Sequence, residues 1–149
     1  FLGAVPVDFD DLPILGLCDL NFDELEKNGT SKIGIVFNLD EHYKDGSHWV
    51  SLFADLSKYK TYFFDSYGKK PDRRIRRFIS RIVKYMYKKK YGKDLSVKHV
   101  LEYLKKDKQK LVNNKIIQDL QNFDIDYNKI RHQYKNSECG VYSINFILY

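Results

Sequence analysis

Cys139 is the residue of this sequence best suited to nucleophilic chemistry. It follows the polar residues 136–138 and precedes an apolar segment, 140–148, which predicts a helix that begins at or just after the cysteine. Free backbone N–H groups and the positive end of the helix dipole favour a thiolate at such a position. The alternative is an inert buried cysteine, which is a common state for this residue type. Cys18, the second cysteine, has apolar neighbours and is interpreted as a core residue.

His48 is the candidate general base for that thiolate. It opens an apolar segment directly after the turn at 46–47, so we expect its side chain at a strand end, where it can reach a cleft. Trp49 follows it and must point to the opposite side of the strand. A surface histidine in a turn is the alternative for His48. The remaining histidines are weaker candidates because they lie in a charged turn, on a polar helix and in an extended segment: His42, His99 and His132.

Asp65 and Gln133 supply the other groups that a cysteine nucleophile needs. Asp65 ends the apolar segment 61–64, where a carboxylate can fix the tautomer of an imidazole base and stabilise the imidazolium. Gln133 precedes Cys139 by six residues, so its amide can fold back over the thiol. With the backbone N–H of Cys139 it would form a two-donor oxyanion hole. An aspartate that merely starts a turn is the alternative for Asp65.

Three short apolar segments must bring His48 and Asp65 together. The segments 33–38, 48–56 and 61–65 are rich in β-branched and aromatic residues and are separated by polar turns, which predicts a meander of adjacent strands. If the last two strands are neighbours, both side chains emerge at one rim of the sheet. Asn38 then lies at the end of the first strand, beside the same rim.

A helix follows this meander. Apolar residues recur with helical spacing from 75 to 86, Asp72 is expected to cap the N-terminus, and Gly92 is expected to end the helix. Further helices are predicted from Ser96, over 115–121 and over 140–148, with a strand over 126–132. This order of elements indicates an α+β fold. No linker divides the 149 residues, so we expect one catalytic domain, 1–149, that is a fragment lacking N-terminal and C-terminal segments.

Charge and composition limit the function classes. Residues 69–93 carry 12 basic side chains and one acidic one, inside a chain whose formal net charge is +6. Such a segment is typical of a polyanion-binding surface or of the solvated face of an amphipathic helix. The longest apolar runs are far below the roughly 18 residues that span a bilayer, so no membrane interaction is expected. The two cysteines are too far apart for a CxxC metal site, and neither a disulfide framework nor a signal segment is present, which suggests a reduced intracellular protein.

Four residues in a fixed order carry a resemblance to a known family: His48, Asp65, Gln133 and Cys139. Together with the sequence around the cysteine, 137–142, this order resembles the adenain/SUMO-protease superfamily of cysteine peptidases and differs from papain-like enzymes, in which the cysteine comes first. The details at 37–40, 42–43, 46–50 and 64–66 are most similar to the polyprotein-processing proteases of nucleocytoplasmic large DNA viruses, the asfarvirus type included.

The resemblance implies the fold and the role of each residue. The fold would be the cysteine-peptidase fold of this superfamily, with a central mixed sheet flanked by helices. Cys139 would be the nucleophile, His48 the general base, Asp65 the group that orients it, and Gln133 the oxyanion donor. No metal or organic cofactor is required by this chemistry.

The resemblance also implies a polypeptide substrate with Gly-Gly-Xaa cleavage sites. Glycines lack side chains, so an extended substrate can pass through a slot that excludes bulkier residues. Trp49 would wall that slot and Asn38 would hydrogen-bond the substrate backbone. A core aromatic residue and a strand-end turn residue are the respective alternatives.

The expected function is polyprotein processing during virion maturation, in the virion or the host cytoplasm. One alternative is a ubiquitin-like-protein hydrolase of the SUMO type, although this chain lacks the second tryptophan with which SUMO-processing members close their tunnel. Another is a non-enzymatic, basic nucleic-acid-binding domain. Even in a protease, the basic helix at 73–90 could bind nucleic acid, as relatives in the adenoviral branch do.

Overall fold

A mixed five-stranded sheet forms the centre of the computed structural model, which describes residues 1–96, 98–100, 102, 124–129, 131 and 139–148. Its strands, in sheet order, are β1 Ala4–Pro6, β2 Lys32–Asn38, β3 Trp49–Asp55, β4 Lys60–Phe64 and β5 Asp124–Tyr127. The three central strands pair antiparallel as a meander, and each edge strand pairs parallel to its neighbour. The register places Asn38 opposite Trp49, so β2 ends where β3 begins.

One face of the sheet carries the main hydrophobic core. Directly paired residues share a face, and the pairs Ile35↔Leu52 and Phe37↔Val50 are buried, as is Phe63 on β4. The helix α2, Arg73–Tyr91, contributes the apolar stripe of this core, with Ile75, Phe78, Ile82, Val83 and Met86 all buried. Burial of such aliphatic and aromatic side chains stabilises the domain by about 1.5–3 kcal/mol for each one.

The ends of α2 have the caps expected from the sequence. The Asp72 side chain accepts a hydrogen bond from the backbone N–H of Arg74 at 2.8 Å. Gly92 ends the helix in the left-handed region with φ of 69°, a conformation that costs a residue with a Cβ more than glycine. The shorter helix α1, Phe22–Lys27, is capped by Asn21 and buries Phe22 against the same core.

The opposite face of the sheet carries the helix α3, Cys139–Leu148. Gly34 on β2 gives this helix room, because a Cβ at that position would lie 2.9 Å from Cγ2 of Ile147. Phe146 stacks on Phe64 of β4 with ring centroids 5.0 Å apart. The two helices therefore enclose the central strands, and the sheet sets where the first residue of α3 lies.

Most of the predicted elements are confirmed, including the α+β class, the meander, α2 with its caps, and the helix after Cys139. The strand predicted over 126–132 is wrong in its bounds, since β5 covers Asp124–Tyr127. Residues 1–32 contain β1, α1 and two 3₁₀ turns that the sequence did not indicate. Residues 98–100 and 102 are helical, in agreement with a helix from Ser96, whereas the helix predicted over 115–121 lies outside the described residues.

Two further expectations bear on organisation. No helix in the described part of the chain is both long enough and apolar enough to cross a bilayer. The expectation of one catalytic domain over 1–149 stays a prediction.

Candidate active site

His48 and Asp65 form a buried pair at one rim of the sheet. His48 directly precedes β3 and Asp65 directly follows β4, and the antiparallel register of the two strands brings these ends together. Nε2 of His48 lies 2.7 Å from Oδ1 of Asp65, with only 8% and 1% of the two residues exposed. Because a carboxylate only accepts, Nε2–H donates this hydrogen bond. The prediction that the meander joins these residues is confirmed.

This hydrogen bond leaves the other ring nitrogen of His48 as the basic atom. In the neutral imidazole a protonated Nε2 puts the lone pair on Nδ1. Nδ1 is buried, and no hydrogen bond satisfies it among the described residues. A buried nitrogen with an unused lone pair costs free energy unless a proton donor reaches it. The pair is therefore suited to accept a proton from a group that approaches Nδ1.

Tyr67 holds the imidazole and the carboxylate in place. Its ring stacks on His48 with centroids 4.5 Å apart and an interplanar angle of 24°. Its backbone N–H donates to the same Oδ1 of Asp65 at 2.8 Å. Arg131 lies over this ring, with its guanidinium carbon 4.9 Å from the centroid. This support was not predictable from the sequence, because a tyrosine in a turn has no local feature that predicts its stacking partner.

Cys139 is the first residue of α3 and is 6% exposed. The helix docks on the residue next to His48: the Ser143 hydroxyl, fully buried one turn after the cysteine, donates to the Trp49 carbonyl at 3.0 Å. Gly140 lies against the Trp49 ring, since a Cβ there would be 3.7 Å from its Cδ1. The thiol thus sits at the N-terminus of a helix that docks on the residue next to His48, and no hydrogen bond joins the Cys139 and His48 side chains within the described residues. Such bonds are often loose before substrate binds.

A cleft of about 250 Å³ lies beside Trp49. β1, the loop 40–46 and both predicted substrate-binding residues, Trp49 and Asn38, line it. The Asn38 amide is already engaged, because its Oδ1 accepts from the backbone N–H of Asp40 at 2.9 Å. Gly46, at φ of 87°, packs against the same amide. Asn38 therefore shapes the loop, while its role towards substrate stays a prediction.

A second histidine–carboxylate pair anchors that loop. Asp8, which is 7% exposed, accepts hydrogen bonds from both the backbone N–H and the ring Nδ1–H of His42. Burial raises the pKa of Asp8, but the hydrogen bonds from His42 outweigh burial and hold the pKa below its ordinary value. Sequence reasoning treated His42 only as a weak candidate base and missed its partner, 34 positions away.

One predicted site residue falls outside the part of the chain that the structure describes. Gln133, the expected oxyanion donor, lies outside the described residues. Within the described ranges, no cluster of three or more His, Cys, Asp or Glu side chains could hold a metal ion.

Known proteins resemble this chain in sequence and in fold. The model of the Ulp1 protease family, C-terminal catalytic domain, matches residues 30–149. This chain belongs to that family. Membership confirms the resemblance carried by the order His, Asp, Gln, Cys, and it places the chain among cysteine peptidases of the SUMO-protease and adenain type.

Viral relatives are similar to this Ulp1-family chain over nearly its whole length. A protein of Acanthamoeba polyphaga mimivirus, named "Putative thiol protease", is 35% identical over 148 residues, which are 99% of this chain and 39% of that protein. A crystal structure of an ASFV protease has a TM-score of 0.59 at 19% identity, covering 97% of this chain and 46% of the ASFV chain, and shows the same fold. The chain spans less than half the length of either protein.

Proposed function

We propose that this chain is the catalytic core of a cysteine endopeptidase that cleaves Gly-Gly-Xaa sites. The observation that carries the proposal is the buried His48–Asp65 pair, whose Nδ1 has no hydrogen-bond partner among the described residues; the helix that starts at Cys139 docks on the next residue, Trp49. Membership of the Ulp1 protease family supports the reaction class. The similarity to a mimivirus protein supports a viral role, and we place the work of the enzyme in polyprotein processing, in the virion or the host cytoplasm.

The reaction has two acyl-transfer steps. Nδ1 of His48 takes the thiol proton of Cys139, and the sulfur attacks the carbonyl carbon of the second glycine. The oxyanion is held by the backbone N–H of Cys139 and by the amide of Gln133. The intermediate collapses as His48 protonates the leaving amine, and His48 then removes a proton from the water that hydrolyses the thioester. Asp65 stabilises the imidazolium in both steps.

The substrate slot would run along the cleft beside Trp49. At Trp49 the cleft adjoins the residue on which α3 docks through Ser143, and its other side is the loop that Asp8 holds through His42. A cleft of about 250 Å³ is small, which suits glycine residues next to the scissile bond. Asn38 is placed to support this slot, either through the loop or by direct contact with the substrate backbone.

Replacement of Cys139 by Ala in the intact protein tests the assignment. We expect turnover of a Gly-Gly-Xaa peptide to disappear while the midpoint of urea unfolding stays unchanged, since the substitution removes a single sulfur. A peptide with Ala-Ala in place of Gly-Gly is the specificity control, and mass spectrometry locates the cut. Turnover retained by Cys139→Ala would refute the nucleophile, and equal cleavage of the Ala-Ala peptide would refute the glycine specificity.

A ubiquitin-like-protein hydrolase uses the same catalytic groups, so only the substrate separates it from the proposed endopeptidase. A folded ubiquitin-like protein ending in Gly-Gly and a short Gly-Gly-Xaa peptide should be compared at equal concentration. Preference for the folded protein by more than about tenfold in kcat/KM, about 1.4 kcal/mol of transition-state binding, would favour the hydrolase.

Nucleic-acid binding by α2 is the second candidate function, and the structure limits it. Several basic residues of the helix are tied to acidic partners: Arg74, Arg81, Lys84, Lys88 and Lys89. Three exposed arginines on this helix, Arg73, Arg76 and Arg77, form no ion pair within the described residues. We therefore propose at most a small phosphate-binding patch at the start of α2.

A further inference from the structure

Asn128 lies where the parallel ladder between β4 and β5 ends. The last register pair of the ladder is Phe63↔Tyr127, and the Asn128 backbone N–H donates to the Phe63 carbonyl at 3.4 Å. Phe64 follows Phe63 and is the last residue of β4, and Asp65 comes directly after it. Asp65 is therefore the point at which the sheet stops supporting the backbone of the carboxylate that holds His48.

The side chain of Asn128 replaces the missing strand at this point. The backbone N–H of Asp65 donates to Oδ1 of Asn128 at 2.8 Å, and Nδ2 of Asn128 donates to the Asp65 carbonyl at 2.6 Å. One planar amide thus binds both main-chain polar groups of a single residue, as a neighbouring strand would. Asparagine carries a separate donor and acceptor on one short planar amide, whereas aspartate lacks the donor and glutamine is one methylene longer.

We propose that Asn128 is a positioning residue that acts on the reaction through Asp65 and His48. The inference rests on the proposed function, in which Asp65 orients the base. Asp65 is 1% exposed, and its Oδ1 already receives hydrogen bonds from His48 and from the backbone of Tyr67. Asn128 fixes the main chain from which this carboxylate projects, so it sets the distance from Oδ1 to Nε2 of the imidazole.

The placement of Asn128 separates an effect on the base from an effect on substrate binding. Asn128 is not among the residues that line the cleft beside Trp49. Its loss should therefore lower kcat and leave KM unchanged. A displacement of about 1 Å in a catalytic group costs up to about 100-fold in rate, so we expect a fall in kcat of about 10- to 100-fold for Asn128→Ala.

The test uses the intact protein, a Gly-Gly-Xaa peptide and three variants: Asn128→Ala, Asn128→Asp and Asn128→Gln. Asn128→Asp keeps the acceptor and loses the donor, so its kcat should also fall, while Asn128→Gln retains the amide and should recover part of the rate. Lys129→Ala is the matched control, because Lys129 is the exposed neighbour and should leave kcat unchanged. Urea unfolding of each variant shows that it is folded.

A second readout does not depend on turnover. The proton in the hydrogen bond from Nε2 of His48 to Asp65 should give a low-field NMR signal in the wild type, absent from Asn128→Ala and retained in Lys129→Ala. If the wild type cleaves no Gly-Gly-Xaa peptide, the proposed function fails, and the NMR signal alone decides the role of Asn128. A folded Asn128→Ala that keeps the signal, or that keeps wild-type kcat in an active protein, would overturn the inference.

Discussion

At the scale of single residues, the sequence predicted the groups whose positions follow from strand order. His48 and Asp65 flank two consecutive strands, so a meander is sufficient to bring them together. Asn128 and Asp8 could not be predicted, because their partners lie 63 and 34 positions away and no local pattern marks either contact. Asn38 shows the same limit, since its engagement with the loop depends on where Gly46 packs. Cys18, expected in the core, is half-buried.

Alkylation of the two cysteines separates a nucleophilic thiolate from an inert thiol. Cys139 is buried and Cys18 is half-buried, so accessibility alone would make Cys18 react first. We expect iodoacetamide at neutral pH to label Cys139 at least about tenfold faster, because the thiolate is the reactive form. Peptide mapping at short times measures both rates in one sample. His48→Ala is the control, and faster labelling of Cys18 in the wild type would contradict an activated Cys139.

The Asp8–His42 pair gives a pH-dependent prediction. Since the folded state holds the pKa of Asp8 below 3.8, the pair stabilises the protein above that pH and this contribution is lost as the pH falls through the lowered value. Asp8→Asn should therefore lower the free energy of unfolding by about 1–2 kcal/mol at pH 7, with the difference shrinking below about pH 4. Urea unfolding across this range measures it.

Asp11→Asn is the control for that series, because Asp11 is exposed and three residues away. A difference between wild type and Asp8→Asn that stays constant down to pH 3 would show that the carboxylate does not act through its charge.

At the scale of elements, patterned strands and helices were predictable and short edge elements were not. The strand β2 and the helix α2 have apolar residues at the spacing that burial on one or two faces requires. β1 and β5 have three and four residues, too few to show any period, and they form only because β2 and β4 offer them a paired edge. The start of α3 at Cys139 was predictable from the change from polar to apolar residues.

Gly34 sets the distance between β2 and α3, the helix that carries the candidate nucleophile. A methyl group at this position would meet Cγ2 of Ile147 at 2.9 Å, which is too close for two carbon atoms. Gly34→Ala should destabilise the protein by about 1–3 kcal/mol and reduce kcat, because the helix must shift away from the sheet. Urea unfolding and peptide turnover measure the two effects.

Ile147→Ala removes the atom in conflict and provides the matched partner variant. In a double-mutant cycle, Gly34→Ala combined with Ile147→Ala should cost less than the sum of the single variants by about 1 kcal/mol or more. Additive costs would show that Gly34 is not needed for the approach of α3.

At the scale of the whole molecule, charge is distributed unevenly, and ion pairs within the fold engage part of the positive charge of α2. Lys89 binds Glu26 of α1 at 2.6 Å, and Arg81 donates to the backbone carbonyl of Leu17 at 3.0 Å. These contacts connect α2 to the acidic N-terminal segment. The excess of positive charge at 69–93 thus complements the negative charge of residues 1–68 within the fold, a use that composition alone could not separate from polyanion binding.

Salt dependence of DNA binding measures how much of this charge remains available to an outside polyanion. Each phosphate contact contributes about −0.9 to the slope of log K against log salt concentration, so the three arginines without ion pairs allow a slope of about −3. We expect the triple replacement of Arg73, Arg76 and Arg77 by Gln to abolish this binding, and Lys84→Gln with Lys88→Gln, whose ammonium groups face Asp94, to change the slope little. A wild-type slope much steeper than about −3 would require phosphate contacts from cations other than these three arginines, and would contradict a binding patch limited to the start of α2.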